Sequence, residues 1–557
     1  MPYAIPRGPD DMSRPKAASK AISAIVVAPP TGDRPTDRAD HAGADYAAKV
    51  TVDHRKDHGL YLTAVPVADF MAEQITAAGD TIRILDPAAG AGILLCAAVE
   101  SLLSRRQTPR RIEIVAYEVD KDLAKVLGRV LQDLQEWAAA KGTAVAVELV
   151  PEDFILAHAA ALQSMGGFFP HLQPEHAFDV VIANPPYFKL NKADPRAMAA
   201  AAVVHGQPNI YGLFMAVGAA LLHDGGELVY IVPRSFASGP YFRLFREKFF
   251  DCIRPEFAHV FGSRRDAFNR DAVLQENIIV KGVRQDGWIR QRVRGLLTIS
   301  TSDGVGDLDA PERRTVSLDS ALDMNSAEKV LRLPVSASED ALLRLVDGWS
   351  GSLRAYGLQI STGPVVPFRA TEFLDKAGSV PDSHAPLLWM NHVLAMKVSW
   401  PIGRHKPEYI KRVMASQGLL VPNRNYVLMR RFSAKEEARR LVAGPYLASA
   451  IETPMVGLEN HLNYIYRPNG TLTEEETFGL AALFSSSLLD IYFRASNGNT
   501  QVSATELRAM PLPPIDTIKA IGRQVRALKK SSPEAIDDLV ARLVGMIDPQ
   551  EKVPAVG

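Results

Sequence analysis

Between residues 81 and 233, short and almost wholly apolar runs alternate with longer stretches of helical spacing, and this alternation limits the fold more than any other feature. "TIRILD" leads into the turn "PAAGAG", and "ILLCAAVESLLSRR" has helical length. "RIEIVAYEVD", "AVAVELVPEDF", "FDVVIANPPY" and "ELVYIVP" read as four further strands, separated by helical sequence such as "KDLAKVLGRVLQDLQEWAAAK" and "YGLFMAVGAALLHDGG". Strands that are apolar on both faces and joined through helices predict a doubly wound, mostly parallel sheet, an α/β domain expected over 46–290. The chain has 557 residues, too many for one core. After Gln291 the texture changes, and "TSDGVGDLDAPERR" suggests a linker within 291–340. Residues 341–515 alternate short strand-like runs with turns and predict a second, mixed α+β domain. Residues 516–557 are expected to form a helical tail, with Ser532 as a helix cap and Ile536, Leu539, Val540 and Leu543 on one face. Residues 1–45 lack sustained periodicity and are expected to be a mobile arm.

Composition narrows the class. No run approaches the roughly 20 apolar residues of a membrane helix. The N-terminus has no apolar signal core, so a cytoplasmic location is expected, without membrane attachment. Cys96 and Cys252 are far apart and predict neither a disulfide nor a metal site. Formal net charge is zero, yet the window 397–440 holds eleven basic residues against three acidic ones, a net of +8. That window predicts a face for nucleic acid.

The turn "DPAAGAG" supplies Asp86, Ala88, Gly90 and Gly92 at the end of the first strand. Ligands of doubly wound sheets bind at such an edge, where glycine lets the backbone approach them. Leu95 stands where a dinucleotide fingerprint has its third glycine, which argues against NAD or FAD. Glu118 and Val119 close the second strand, 26 residues beyond Gly92 (92 to 118), where a carboxylate can accept ribose hydroxyls. Asp153 and Phe154 close the third and suit an adenine amino group and its ring face. Together they predict an adenosine cofactor without a pyrophosphate.

The fourth strand stops at "NPPY". Pro185 and Pro186 lack amide protons and hold fixed φ, and Pro185 keeps Asn184 extended. The side-chain carbonyl of Asn184 and the backbone carbonyl of Pro185 can then converge on one planar –NH₂ group, with the Tyr187 ring beside it for stacking. Two acceptors on both protons localise the nitrogen lone pair for attack on a sulfonium methyl, and positioning supplies most of the acceleration. No Pro-Cys dipeptide is present for C5-cytosine chemistry.

These motifs, in this order, resemble the N6-adenine DNA methyltransferases of type II restriction–modification systems, in the gamma-type arrangement with cofactor motifs first and target recognition last. The resemblance implies a class I S-adenosylmethionine-dependent, Rossmann-like methyltransferase acting on double-stranded DNA. "HGLYLTAVPVADFMA" is similar to the family's N-terminal cofactor motif, which places Tyr61 and Thr63 at the cofactor; Ala64 stands where the family usually has proline. "AFNRDAVLQENIIV" resembles the late motif whose aromatic residue packs on the extruded base, implying that role for Phe268, with Phe261 as the competing candidate. "STGPVVPFRATEFL", "VLMRRFSAKEEARR" and "SNGNTQVSATELRAMPLPP" are similar to modification methylases of the XhoI and SalI type.

A base within a duplex must be flipped out to reach such a site. Candidate DNA contacts are Arg369, Arg404, Lys406, Arg424, Arg430, Arg431, Asn499 and Gln501. The resemblance implies a standalone enzyme, expected to be a monomer, working beside a separately encoded restriction endonuclease. The competing readings are N4-cytosine methylation, methylation of RNA or of protein glutamine, and a non-catalytic DNA-specificity subunit.

Overall fold

The structure is a computed structural model that describes residues 34–58, 62–160, 177–204, 208–262, 277–324, 328–403, 405–433, 437, 439–496, 502–528 and 532–546. The first domain is built on a nine-stranded sheet. Its strands are β1 (Thr81–Asp86), β2 (Arg111–Tyr117), β3 (Ala144–Val150), β4 (Phe178–Ala183), β5 (Leu222–Pro233), β6 (Ile253–Phe261), β7 (Asn277–Arg284), β8 (Leu296–Ser302) and β9 (Glu312–Ser317). They lie in the order β3-β2-β1-β4-β5-β7-β6-β8-β9. The five strands from β3 to β5 are mutually parallel. β7 enters antiparallel between β5 and β6, β8 runs parallel to β6, and β9 is an antiparallel edge.

Both faces of this sheet are covered, as the apolar strands require. In β4, Val180 and Ile182 point into one core, with helices α3 (Val65–Glu73), α4 (Ile93–Leu103) and α5 (Lys121–Ala140). Val181 and Ala183 point into the other, with the helices Ile210–Leu221 and Arg243–Cys252. Helix α5 starts where Asp120 accepts hydrogen bonds from the amides of Asp122 and Leu123. It buries Leu123, Leu127, Leu131 and Leu134 on one face.

Two expected boundaries move. Residues 34–45 are not an arm: Pro35–Lys49 form helix α1, followed by α2 (Val52–His58). Thr36, Ala39, Gly43 and Tyr46 are buried along one side of α1. Such small and polar residues carry almost no hydrophobic signal, so the periodicity was invisible in the sequence. Nor do residues 291–340 form a linker. β8 and β9 extend the sheet, and Leu297, Ile299, Leu318, Leu331 and Leu333 enter its core, so the domain reaches about residue 333. The Asp- and Gly-rich run is the loop of the β8–β9 hairpin.

The remainder is mixed α+β. One antiparallel sheet pairs Gln359–Thr362, Leu462–Tyr466, Tyr426–Arg430 and Ala443–Tyr446 in that order. A second, five-stranded sheet has His384–Leu388 at its centre. The expected separate tail is part of this domain. Ile518, Ile521, Val525, Ile536, Leu539 and Val540 share a core with Leu480, Phe484 and Val427. Ser532 does cap its helix, accepting from the Ala535 amide.

Candidate active site

The site follows from the strand order. β1 and β4 are parallel neighbours, with Ile84 opposite Val180, yet the chain winds away from them in opposite directions. The crevice at this switch point is where such sheets bind ligands. It brings the "DPAAGAG" turn after β1 beside the "NPPY" turn after β4, about 100 residues apart in sequence.

A cleft of about 280 Å³ opens there. Its walls include Ala88, Gly90, Glu118, Val119, Asp153, Phe154 and Asn184, all expected from the sequence. Gly90 has φ +56, and a Cβ there would meet no atom within 4 Å: it would stand in the cleft itself. Gly92, with φ +89, caps α4. The Gly90 amide donates to Glu118 at 3.0 Å, so the glycine turn and the end of β2 are joined directly. Burial raises the Glu118 carboxyl to about 7, against the pull of the Asp120 and Gly90 amides. Asp86 lies deeper, 1 % exposed, and burial raises it to about 8. One Asp86 oxygen accepts from the Ala88 amide at 3.0 Å; the other is buried with no hydrogen-bond partner.

Among the described residues, Glu118, Asp120, Glu152 and Asp153 line the cleft against one lining cation, Arg196, itself paired with Asp194 at 2.7 Å and Asp153 at 3.5 Å. This charge suits a cationic ligand and opposes a pyrophosphate. Phe154 is stacked on Phe214, with ring centres 5.4 Å apart, and both rings border the cleft. The open space over Gly90, the carboxylate at the end of β2 and the excess of acids fit an adenosyl sulfonium.

Asn184 is fixed from two sides. Its Nδ2 donates to Thr63 Oγ1 at 3.0 Å, and Tyr187 hydroxyl donates to its Oδ1. The same hydroxyl lies 2.9 Å from the Ile231 carbonyl. Thr63, 121 residues upstream, thus sits at the cofactor turn and on the key amide at once. Tyr187 departs from expectation. It is 6 % exposed and edge-on to Tyr211, so its ring does not offer an open face here. Phe188 is another ring that lines the cleft, with the Arg196 guanidinium 5.7 Å from its centre. Pro185 is buried at the end of β4. Tyr61 and Phe268 lie outside the described residues. Phe261, the competing candidate, is a core residue, 5 % exposed and edge-on to His259.

Nothing in the sequence signalled Arg196, Ile210 or Phe214, and Asp120 and Phe188 stood only within the motifs "YEVD" and "NPPYF", without a role of their own. Phe188 follows "NPPY" directly and was within reach; Phe214 is one apolar residue in a wholly apolar helix and gives no signal.

The candidate DNA contacts separate into two groups. Arg369 and Lys406 are exposed, lying over the rings of Phe368 and Trp389 at 5.3 Å and 4.5 Å. Arg424, Arg430 and Arg431 instead donate to the carbonyls of Gly470, Val393 and Asn460 at 2.8, 2.7 and 3.1 Å, which holds strands and turns together. Arg404, Asn499 and Gln501 lie outside the described residues. Among the described residues no cluster of three or more His, Cys, Asp or Glu side chains could hold a metal. No helix among them is long and apolar enough to cross a membrane.

The sheet order and the edge motifs define a class I, Rossmann-like methyltransferase fold. A sequence-family profile, Eco57I restriction-modification methylase, matches residues 148–268. Type II methyltransferase M.PstI of Providencia stuartii is 33 % identical over 486 residues, spanning 86 % of this chain and 92 % of that protein. Type II methyltransferase M.BsuBI of Bacillus subtilis is 31 % identical over 473 residues, 85 % and 91 % of the two chains. The chain belongs to the type II methyltransferases of restriction–modification systems. Among solved structures, the type IIG restriction endonuclease BpuSI aligns over 92 % of this chain and 68 % of its own, with TM-score 0.45 and 15 % identity.

Proposed function

We propose that this chain transfers the methyl group of S-adenosylmethionine to N6 of adenine in double-stranded DNA, after flipping the base, and so protects DNA from a partner restriction endonuclease. The observation that carries the reading is Asn184, held by Thr63 and Tyr187 at the rim of an acid-lined cleft.

When bound, the cofactor supplies an electrophilic methyl on a sulfonium. Glu118 would hold the ribose hydroxyls, and Asp153 and Phe154 would hold the adenine. The Asn184 amide is oriented because its NH₂ is committed to Thr63, leaving Oδ1 as an acceptor. Oδ1 and the Pro185 carbonyl would accept hydrogen bonds from the two N–H groups of the target amine and so localise its lone pair; as the new N–C bond formed, the methyl's bond to sulfur would break, leaving the neutral thioether, and one of the two amine protons would be lost to water. Tyr187 hydroxyl keeps Oδ1 in place, a positioning role in this conformation. Phe188, which also lines the cleft, is the candidate ring for stacking on the base. The acceptors are preorganised, so little reorganisation accompanies the transfer.

Incubation with labelled S-adenosylmethionine and mixed-sequence duplex tests the reading. Label should appear in adenine, and Asn184→Ala should abolish it while cofactor binding persists. Label confined to cytosine would overturn the adenine assignment.

A further inference from the structure

The chain leaves the core of the first domain at Leu333 and enters the C-terminal domain through the helix Ala337–Asp347. Leu342, Leu343 and Val346 of that helix sit in the C-terminal core. Its polar side is held by two arginines of the first domain, one at each end. Arg314 of β9 donates to the carbonyls of Pro334 and Ser336, at 2.8 and 2.6 Å, and lies 3.6 Å from the buried carboxylate of Asp340. Arg332 pairs with Asp347 in the last turn. Its guanidinium also donates to the Tyr492 hydroxyl at 3.2 Å and lies 5.3 Å from the centre of that ring. The Tyr492 hydroxyl donates in turn to Asp347 at 2.9 Å, which closes a triangle across the junction. Beside the triangle the domains stand apart: a cleft of about 450 Å³ separates Leu322 and Met324 from Ala509 and Pro511, so no packing there substitutes for it.

Arg332 is tied to the catalytic motif from behind. Its amide donates to the Ala321 carbonyl at 2.7 Å, and the Leu331 amide donates to the Ala237 carbonyl at 2.8 Å. Ala237 belongs to the turn Arg234–Ala237, directly after β5. β5 is the parallel neighbour of β4, so this turn and "NPPY" leave the sheet at the same edge. Ser235 of the turn shares a hydrogen bond of 2.7 Å with the Tyr211 hydroxyl, and the Tyr211 ring meets Tyr187 edge-on, 6.1 Å between centres. Tyr187 holds Asn184. Tyr211, Ala237 and Leu331 are all buried, and close-packed groups of this kind transmit displacement instead of absorbing it.

We infer that Arg332 is a positioning residue: it fixes the C-terminal domain against the turn that backs Tyr187 and Asn184, so that a duplex held by one domain presents its base in register with the other. This role rests on the duplex-methylation reading above. Methyl transfer tolerates little misplacement, since ~1 Å can cost about a hundredfold in rate. Single-turnover methylation of duplex DNA and the distance between the domains test the role together. Cys96 and Cys252 are buried, so spin labels go selectively to cysteines introduced at exposed Lys125 and Met414, one on each domain. The otherwise unaltered chain should show one narrow distance. Arg332→Ala should broaden it and slow methylation about tenfold at saturating duplex and cofactor, with S-adenosylhomocysteine affinity unchanged. Asp347→Asn keeps the shape and removes the ion pair; it should move both readouts the same way, by about threefold in rate, and carries the test if Arg332→Ala does not fold. A slower reaction at an unbroadened distance, an unchanged rate at a broadened one, or a parallel loss of cofactor affinity would overturn the role of Arg332. If the unaltered chain transferred no methyl group to duplex DNA, the methylation reading itself would fall, and this role with it.

Discussion

Tyr187 carries one phenolic proton and has two acceptors within reach, Asn184 Oδ1 and the Ile231 carbonyl. Tyr187→Phe keeps the ring and removes that restraint. Steady-state methylation should show kcat lowered about three- to tenfold at constant cofactor affinity, as for loss of one neutral hydrogen bond. An unchanged kcat would leave the ring, not the hydroxyl, as the contributing part. Glu118 gives the site a pH dependence. Burial holds its carboxyl near 7, and ribose hydroxyls need its ionised form as an acceptor. Protonation therefore competes with binding, so affinity should fall as pH drops through 7, by up to about tenfold per pH unit. Calorimetry with S-adenosylhomocysteine between pH 6 and 9, on the unaltered chain and on Glu118→Gln, checks this; the variant should bind more weakly and lose the step near 7.

At the scale of elements, Asp120 joins three helices. It caps α5 through the Asp122 and Leu123 amides and receives Tyr46 of α1 and His54 of α2. Those bonds hold its carboxyl down at about 2, although burial alone would raise it. Asp120→Ala removes a helix cap and a tertiary bond together, and should cost about 2 kcal/mol in urea unfolding. Helix α1 also shows why local periodicity is an incomplete guide. Its buried side is Thr36, Ala39, Gly43 and Tyr46: Thr36 and Tyr46 bond Glu100 and Asp120, and Gly43 lets the helix pack on the glycine turn, so little of the burial is apolar area. Burial of that kind leaves no mark in a hydrophobicity pattern. β8 was missed for a related reason: Leu297 and Ile299 alternate with half-buried Thr298 beside a turn-rich loop, and the pair reads as linker until it joins the sheet.

At the scale of the whole molecule, the candidate DNA contacts of the C-terminal domain divide into exposed cations and cations bonded to backbone carbonyls. Arg369→Ala and Lys406→Ala should weaken duplex binding and shallow its salt dependence by about one counterion each, with unfolding unchanged. Arg424→Ala, Arg430→Ala and Arg431→Ala should lower thermal stability first, since each loses a bond to a strand or turn carbonyl. Fluorescence anisotropy across a salt series, paired with thermal melts, separates the groups. The sequence alone determined the alternation of buried strands and helices, and it placed Gly90, Glu118, Asp153 and Asn184 at strand ends. Those features follow from local spacing and from the chemistry of glycine and proline. Only the tertiary structure decided which strand ends meet, that Thr63 and Tyr187 hold Asn184, that Gly43 of α1 packs on the glycine turn, and which arginines face solvent. Those depend on contacts between residues up to 121 positions apart, which periodicity along the chain does not encode.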